Sequence, residues 1–75
     1  MTYQEQVEIA KTCNSPAEFS QKCDYRLGRE AAMEDIAKGE PNLSEIYAHL
    51  VELMGEAWTR GYTEYYNAWN ILNQA

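Results

Sequence analysis

Positive charge is scarce in this chain. Its 75 residues carry 6 Lys and Arg against 12 Asp and Glu, a formal net charge of −6. A protein that grips nucleic-acid phosphates needs a Lys/Arg patch, and polybasic membrane attachment needs the same. Direct nucleic-acid binding and membrane anchoring are therefore not expected. Histidine is nearly missing as well: His49 is the single copy, and no nucleophile–base set stands out, so no enzymatic activity is expected. The two cysteines, Cys13 and Cys23, form no CxxC pair and cannot supply a four-ligand zinc site. With helices flanking Asn14-Ser15, Cys23 lies ~10 Å down the second one. That exceeds the roughly 7 Å between Cα atoms that a disulfide tolerates, so two reduced thiols are expected. Gly28, Gly39, Gly55 and Gly61 are too dispersed to cradle phosphate. No apolar run approaches the ~18 residues of a membrane span, and the start of the chain, Met-Thr-Tyr-Gln-Glu-Gln-Val, lacks the basic-then-apolar order of a signal peptide. A cytoplasmic protein without cofactor or metal is expected.

What is present points to a small helical domain. The length allows one domain, residues 1–75, and 45% hydrophobic content argues against disorder. A core this small is marginal and is often supplemented by a partner subunit. Thr2-Tyr3-Gln4-Glu5, Ser15-Pro16-Ala17-Glu18 and Asn42-Leu43-Ser44-Glu45 repeat one pattern: a cap residue followed three positions later by Glu. In such a box the cap oxygen accepts from the N3 amide while the Glu reaches back. Pro16 suits the first helical position. Lys38-Gly39-Glu40-Pro41 supplies a stop, with Gly39 suited to the left-handed conformation. These signals predict helices at about 2–13, at about 16–38 and from about 43 to near the end. The fold class expected is all-α, a small three-helix domain with a long C-terminal amphipathic helix.

The third helix carries one apolar stripe, roughly 160° wide, through Leu43, Ile46, Tyr47, Leu50, Leu53, Met54, Ala57, Trp58, Gly61, Tyr65, Ala68, Trp69, Ile71 and Leu72. Its phase survives Gly55 and Gly61, which favours a continuous rod of ~45 Å over a break at Gly61. Gly61 then serves close helix packing. Two shorter helices cannot cover such a rod, so a homodimer is expected. The second helix is less tidy: Phe19, Cys23, Leu27 and Ala31 form one line and Tyr25, Gly28, Ala32 and Ile36 another.

Three clusters invite a functional reading beside an ordinary one. Glu45, His49, Glu52 and Glu56 would share a helix face at spacings of four, three and four, the spacing of carboxylate and imidazole ligands in helical metal sites; a solvated acidic face is the ordinary reading and the preferred one. Glu30, Glu34, Asp35, Glu40 and the glutamates of the third helix spread negative charge that either imitates a phosphate backbone or simply confers solubility. Trp58, Tyr62, Tyr65, Tyr66 and Trp69 lie within 12 positions. They are either core with a wet rim or the anchors of a protein-binding surface, where rigid rings contribute most; these five are the candidate partner-binding residues.

Tyr25-Arg26-Leu27-Gly28-Arg29-Glu30-Ala31-Ala32, then Gly39-Glu40-Pro41-Asn42, then Ala57-Trp58-Thr59-Arg60-Gly61-Tyr62 resemble the layout of ribosome modulation factor-like small helical proteins, a group with phage-encoded relatives. The resemblance covers about half the chain and implies helix-packing roles for Gly28, Ala32, Trp58 and Gly61. The family is basic where this chain is acidic, so ribosome binding is not carried over with the packing. The expected function is that of a non-enzymatic acidic interaction protein. It would bind a larger protein partner or macromolecular complex and modulate or inhibit it, as a phage-encoded inhibitor of a host nuclease or defence complex does. The alternative is a ribosome-associated regulator.

Overall fold

Helices begin in this protein where a side chain replaces a missing backbone partner. The computed structural model describes residues 1–74. It contains α1 (Tyr3–Ala10), α2 (Pro16–Lys38), α3 (Leu43–Ile46), α4 (Leu50–Met54) and α5 (Glu56–Leu72). The fold is all-α, and no strand occurs among the described residues. Thr2 Oγ1 accepts from the Glu5 amide at 3.2 Å and Ser15 Oγ from the Glu18 amide at 3.2 Å, as capping boxes require. The Glu18 carboxylate reaches one residue further back than expected, to the Asn14 amide at 3.1 Å. Asn42 departs from the box. Its Oδ1 accepts from the Ser44 amide at 3.0 Å and from Ser44 Oγ at 2.6 Å, an Asx-type turn. Gly39 ends α2 at φ 74°, and the Glu40 amide closes back on the Asp35 carbonyl at 2.8 Å, which satisfies carbonyls left over at the helix end.

The first helix is shorter than expected and stops at Ala10; Thr12 Oγ1 and Cys13 Sγ both donate to the Ile9 carbonyl. The expected third helix is three. Its backbone leaves the helical region at Tyr47 (φ −111°, ψ 89°) and again at Gly55 (φ 89°, ψ 156°), while Gly61 lies inside continuous helix. The rod is thus broken upstream of Gly61, at two places. The physical reason is burial. A straight helix from Leu43 would carry its first turns past the end of α2. Folding them back lets the Leu43 amide donate to Tyr62 Oη at 3.4 Å and Thr63 Oγ1 donate to Ser44 Oγ at 2.7 Å. Folding back also buries Leu50 and Asn42. That gain overrides a continuous apolar phase, because most helical stability in proteins comes from tertiary packing.

The principal packing is α2 against α5, and two glycines set it. A Cβ on Gly28 would lie 1.9 Å from the Trp58 carbonyl oxygen, and one on Gly61 would lie 2.0 Å from the Tyr25 carbonyl oxygen. Each helix therefore rests backbone-on-backbone at the other's glycine, which only a residue without Cβ permits. Ala32 and Tyr62 are fully buried at this crossing. The packing roles implied for Gly28, Ala32 and Gly61 are present in the geometry. An ion pair between Arg26 Nη2 and Glu5 Oε2 at 3.1 Å and bonds from Lys22 Nζ to Thr12 hold α1 on α2. Both cysteines are free, and burial pushes the Cys23 thiol pKa up.

Candidate interaction surface

On α5 the aromatic residues recur every four positions, so they stack along one side of the helix. Trp58 and Tyr62 rings are 5.3 Å apart at 20°, and Tyr62 and Tyr66 rings 6.0 Å apart at 15°. The middle ring is the centre of the core. Tyr62 is fully buried; its hydroxyl donates to Asp35 Oδ2 while accepting the Leu43 amide. Burial first, and then the Asp35 carboxylate, push its pKa far above the ordinary phenol value.

This geometry corrects the expected contact set. Tyr62 cannot touch a partner, because no part of it reaches solvent. Trp58 and Tyr66 are half-buried on either side of it, and Tyr66 Oη is committed to the Glu40 carbonyl at 2.5 Å. Tyr65 is half-buried beneath the Arg29 guanidinium, 5.5 Å from its ring centre, a cation–π contact. Trp69 alone of the five is exposed, at 39%. The aromatic series is therefore one core residue, three shoulders and one surface ring.

Besides Tyr3 on α1 and Leu27 and Met33 on α2, the exposed apolar side chains form two groups. Ile46, Tyr47, Val51, Leu53 and Met54 stand in solvent along α3 and α4, with Leu53 at 68% exposure. Ile71 and Leu72 stand in solvent at the outer end of α5, at 69% and 71%. A monomer of this size rarely leaves so much apolar area uncovered unless it contacts something. The α3–α4 stretch has a second property. From Gly39 to Thr59 the sequence contains no Lys or Arg, but it contains Glu40, Glu45, Glu52 and Glu56, all exposed. Sequence periodicity placed Ile46, Tyr47, Leu53 and Met54 in a buried stripe. The missing cations, together with Gly55, were the available signal that this stretch is surface.

The remaining clusters offer no assembled chemistry. Glu45, His49, Glu52 and Glu56 straddle both helix breaks and do not share one face, and no group of three His, Cys, Asp or Glu positioned to hold a metal occurs among the described residues. His49 instead sets its ring edge-on to Tyr47 at 6.0 Å. An open groove between α1 and α2, lined by Ile9, Tyr25, Arg26, Arg29 and Met33 among others, is crossed by the ion pairs of Arg26 with Glu5 and Glu30. Beside it Tyr25 Oη donates to Glu64 Oε2 at 2.8 Å, and the Arg60 guanidinium sits 5.6 Å from the Tyr25 ring. That hydrogen bond, followed by burial, raises the Tyr25 pKa.

Comparison with protein-family models, with curated proteins and with solved structures returns no match for this chain. No helix among the described residues is long and apolar enough to cross a membrane.

Proposed function

We propose that this chain is a non-enzymatic interaction protein that docks on a larger macromolecular partner and modulates or inhibits it. The observation that carries this reading is the α3–α4 stretch. It presents Ile46, Tyr47, Val51, Leu53 and Met54 to solvent inside a segment with four glutamates and no cation. An apolar centre with an acidic rim is complementary to an apolar cleft with a basic rim. Clefts of that kind belong to proteins that grip nucleic-acid phosphates. A nuclease or nuclease-containing defence complex is therefore the favoured partner class, and occupation of its cleft would block substrate electrostatically. Docking on ribosomal RNA would need cations where this surface has glutamates. Free Cys13 and Cys23 suit the reducing cytoplasm.

Affinity capture compared across variants tests the reading. Leu53→Ser/Met54→Ser removes the apolar centre, and Glu52→Lys/Glu56→Lys inverts the rim; all four residues are exposed, so neither pair disturbs the core. A partner retained by the wild type, lost by both pairs and released by salt supports the proposal. A partner kept by both pairs rejects the surface. Recovery of ribosomal proteins instead replaces the reading with the ribosome-associated one.

A further inference from the structure

Among the described residues, the outer end of α5 is the least covered part of that helix. Every residue from Asn67 to Gln74 is exposed, including Trp69, Ile71 and Leu72. Two turns of helix so exposed are marginal in water, and three large apolar side chains on them raise the cost of leaving them free. This segment differs in charge from the α3–α4 stretch. Beyond Glu64 the chain has no charged side chain at all. In a molecule of net charge −6 it is the surface on which two copies meet with the least repulsion. From the geometry we infer that the outer end of α5 is a homodimer interface, in which the same patch of a second copy packs across Trp69, Ile71 and Leu72.

The chain as a whole leaves surface uncovered. The chain exposes 5321 Å² at 8.7 kDa, against roughly 4,700 Å² for a folded monomer of that mass. The excess, about 600 Å², is summed over the whole chain, and Trp69, Ile71 and Leu72 contribute to it together with the α3–α4 stretch. A two-fold contact places identical residues opposite one another.

The inference does not depend on the foreign partner proposed above, and its test uses the purified chain alone. Sedimentation equilibrium from about 1 to 500 μM reads the mass, and the expected result is a shift from 8.7 kDa to twice that value. Ile71→Glu/Leu72→Glu should weaken association by roughly a hundredfold or more. Because both residues are exposed in the monomer, the α2–α5 core should melt as before. Salt separates this interface from one built on ion pairs. Screening the like charge of two copies tightens the dimer as ionic strength rises, whereas an ion-paired interface would loosen. A wild type that stays monomeric across the range overturns the inference. So does a dimer that survives Ile71→Glu/Leu72→Glu, or one that dissociates in salt.

Discussion

Gly28→Ala sets two physical effects against each other. In an exposed helix the change stabilises by about 1 kcal/mol, through the higher helix propensity of Ala. Here the new methyl would lie 1.9 Å from the Trp58 carbonyl oxygen, where ordinary van der Waals contact begins at 3.4 Å. The obstacle is backbone and cannot rotate away, so α2 and α5 must part by about 1.5 Å locally. A gap of ~0.5–1 Å already forfeits a quarter to a half of the dispersion attraction across an interface. Tyr62, fully buried at this crossing, represents ~150–250 Å² of surface, or about 4–6 kcal/mol at ~25 cal/mol/Å². Losing a quarter to a half of that, together with part of the Trp58 contact, costs about 2–4 kcal/mol. The net expectation is a loss of about 1–3 kcal/mol, against a total stability of about 4–11 kcal/mol for a domain of this length. Thermal unfolding followed by circular dichroism at fixed protein concentration should show Tm lowered by roughly 5–20 °C. Gly61→Ala should behave alike, since its methyl would meet the Tyr25 carbonyl oxygen at 2.0 Å. The double variant should cost less than the sum, because the helices are already apart. A Gly28→Ala protein as stable as the wild type, or more stable, would refute the backbone-on-backbone crossing.

Tyr62→Phe removes the hydrogen bond to Asp35 while keeping the ring, and should cost about 1–2 kcal/mol in urea unfolding; no change would mean that the buried hydroxyl is not engaged. The raised pKa of Tyr62 fixes the sign of the alkaline response. The unfolded chain releases this proton near the ordinary phenol value of ~10 while the folded chain keeps it, so stability is intact below that pH and declines above it. Tyr62→Phe should flatten the decline, and equal slopes in the two proteins would contradict the assignment. Ser15→Ala deletes the acceptor for the Glu18 amide and should lower stability by about 1 kcal/mol. The Glu18 carboxylate is held below its usual range by the Asn14 amide and then by Lys22. Its contribution is therefore present above the ordinary carboxylate pKa and lost as pH falls through the lowered one; Glu18→Gln should show a shallower acid limb.

Local chemistry made much of the fold legible. The boundaries of α2 follow from Ser15-Pro16 and Gly39 because each of those residues does one local thing: accept an orphan amide, tolerate the first turn, or adopt positive φ. The close crossing was legible at Gly61 for a related reason, since a small residue on an apolar stripe has few other uses. The aromatic site was only partly legible. Periodicity shows that Trp58, Tyr62, Tyr65, Tyr66 and Trp69 occupy neighbouring sides of a helix. It does not show how far the neighbouring helix extends, and that extent decides that Tyr62 is sealed and Trp69 is not.

The break of the expected third helix shows why the rest was hidden. Apolar spacing from Leu43 to Leu72 keeps helical phase, and phase reports which side of a helix is apolar but not whether a neighbour exists to cover it. Covering requires length, and α2 with its 23 residues is consumed by its crossing with α5. The chain resolves the shortage by turning at Tyr47 and Gly55. That turn secures Leu50 for the core and leaves Ile46, Tyr47, Val51, Leu53 and Met54 in water. A chain selected only for its own stability would place polar residues at those positions once they were exposed. Apolar residues retained there, beside glutamates without counter-cations, conflict with the solubility of the isolated chain. The same is true of Ile71 and Leu72 at the other end of α5. Departures of sequence from local consistency concentrate where a protein meets another molecule. Apart from Tyr3 on α1 and Leu27 and Met33 on α2, they fall on two surfaces of different electrostatic character, one acidic and one uncharged. That difference is why the two occupants proposed above are not the same: a basic cleft for the first and an identical copy for the second.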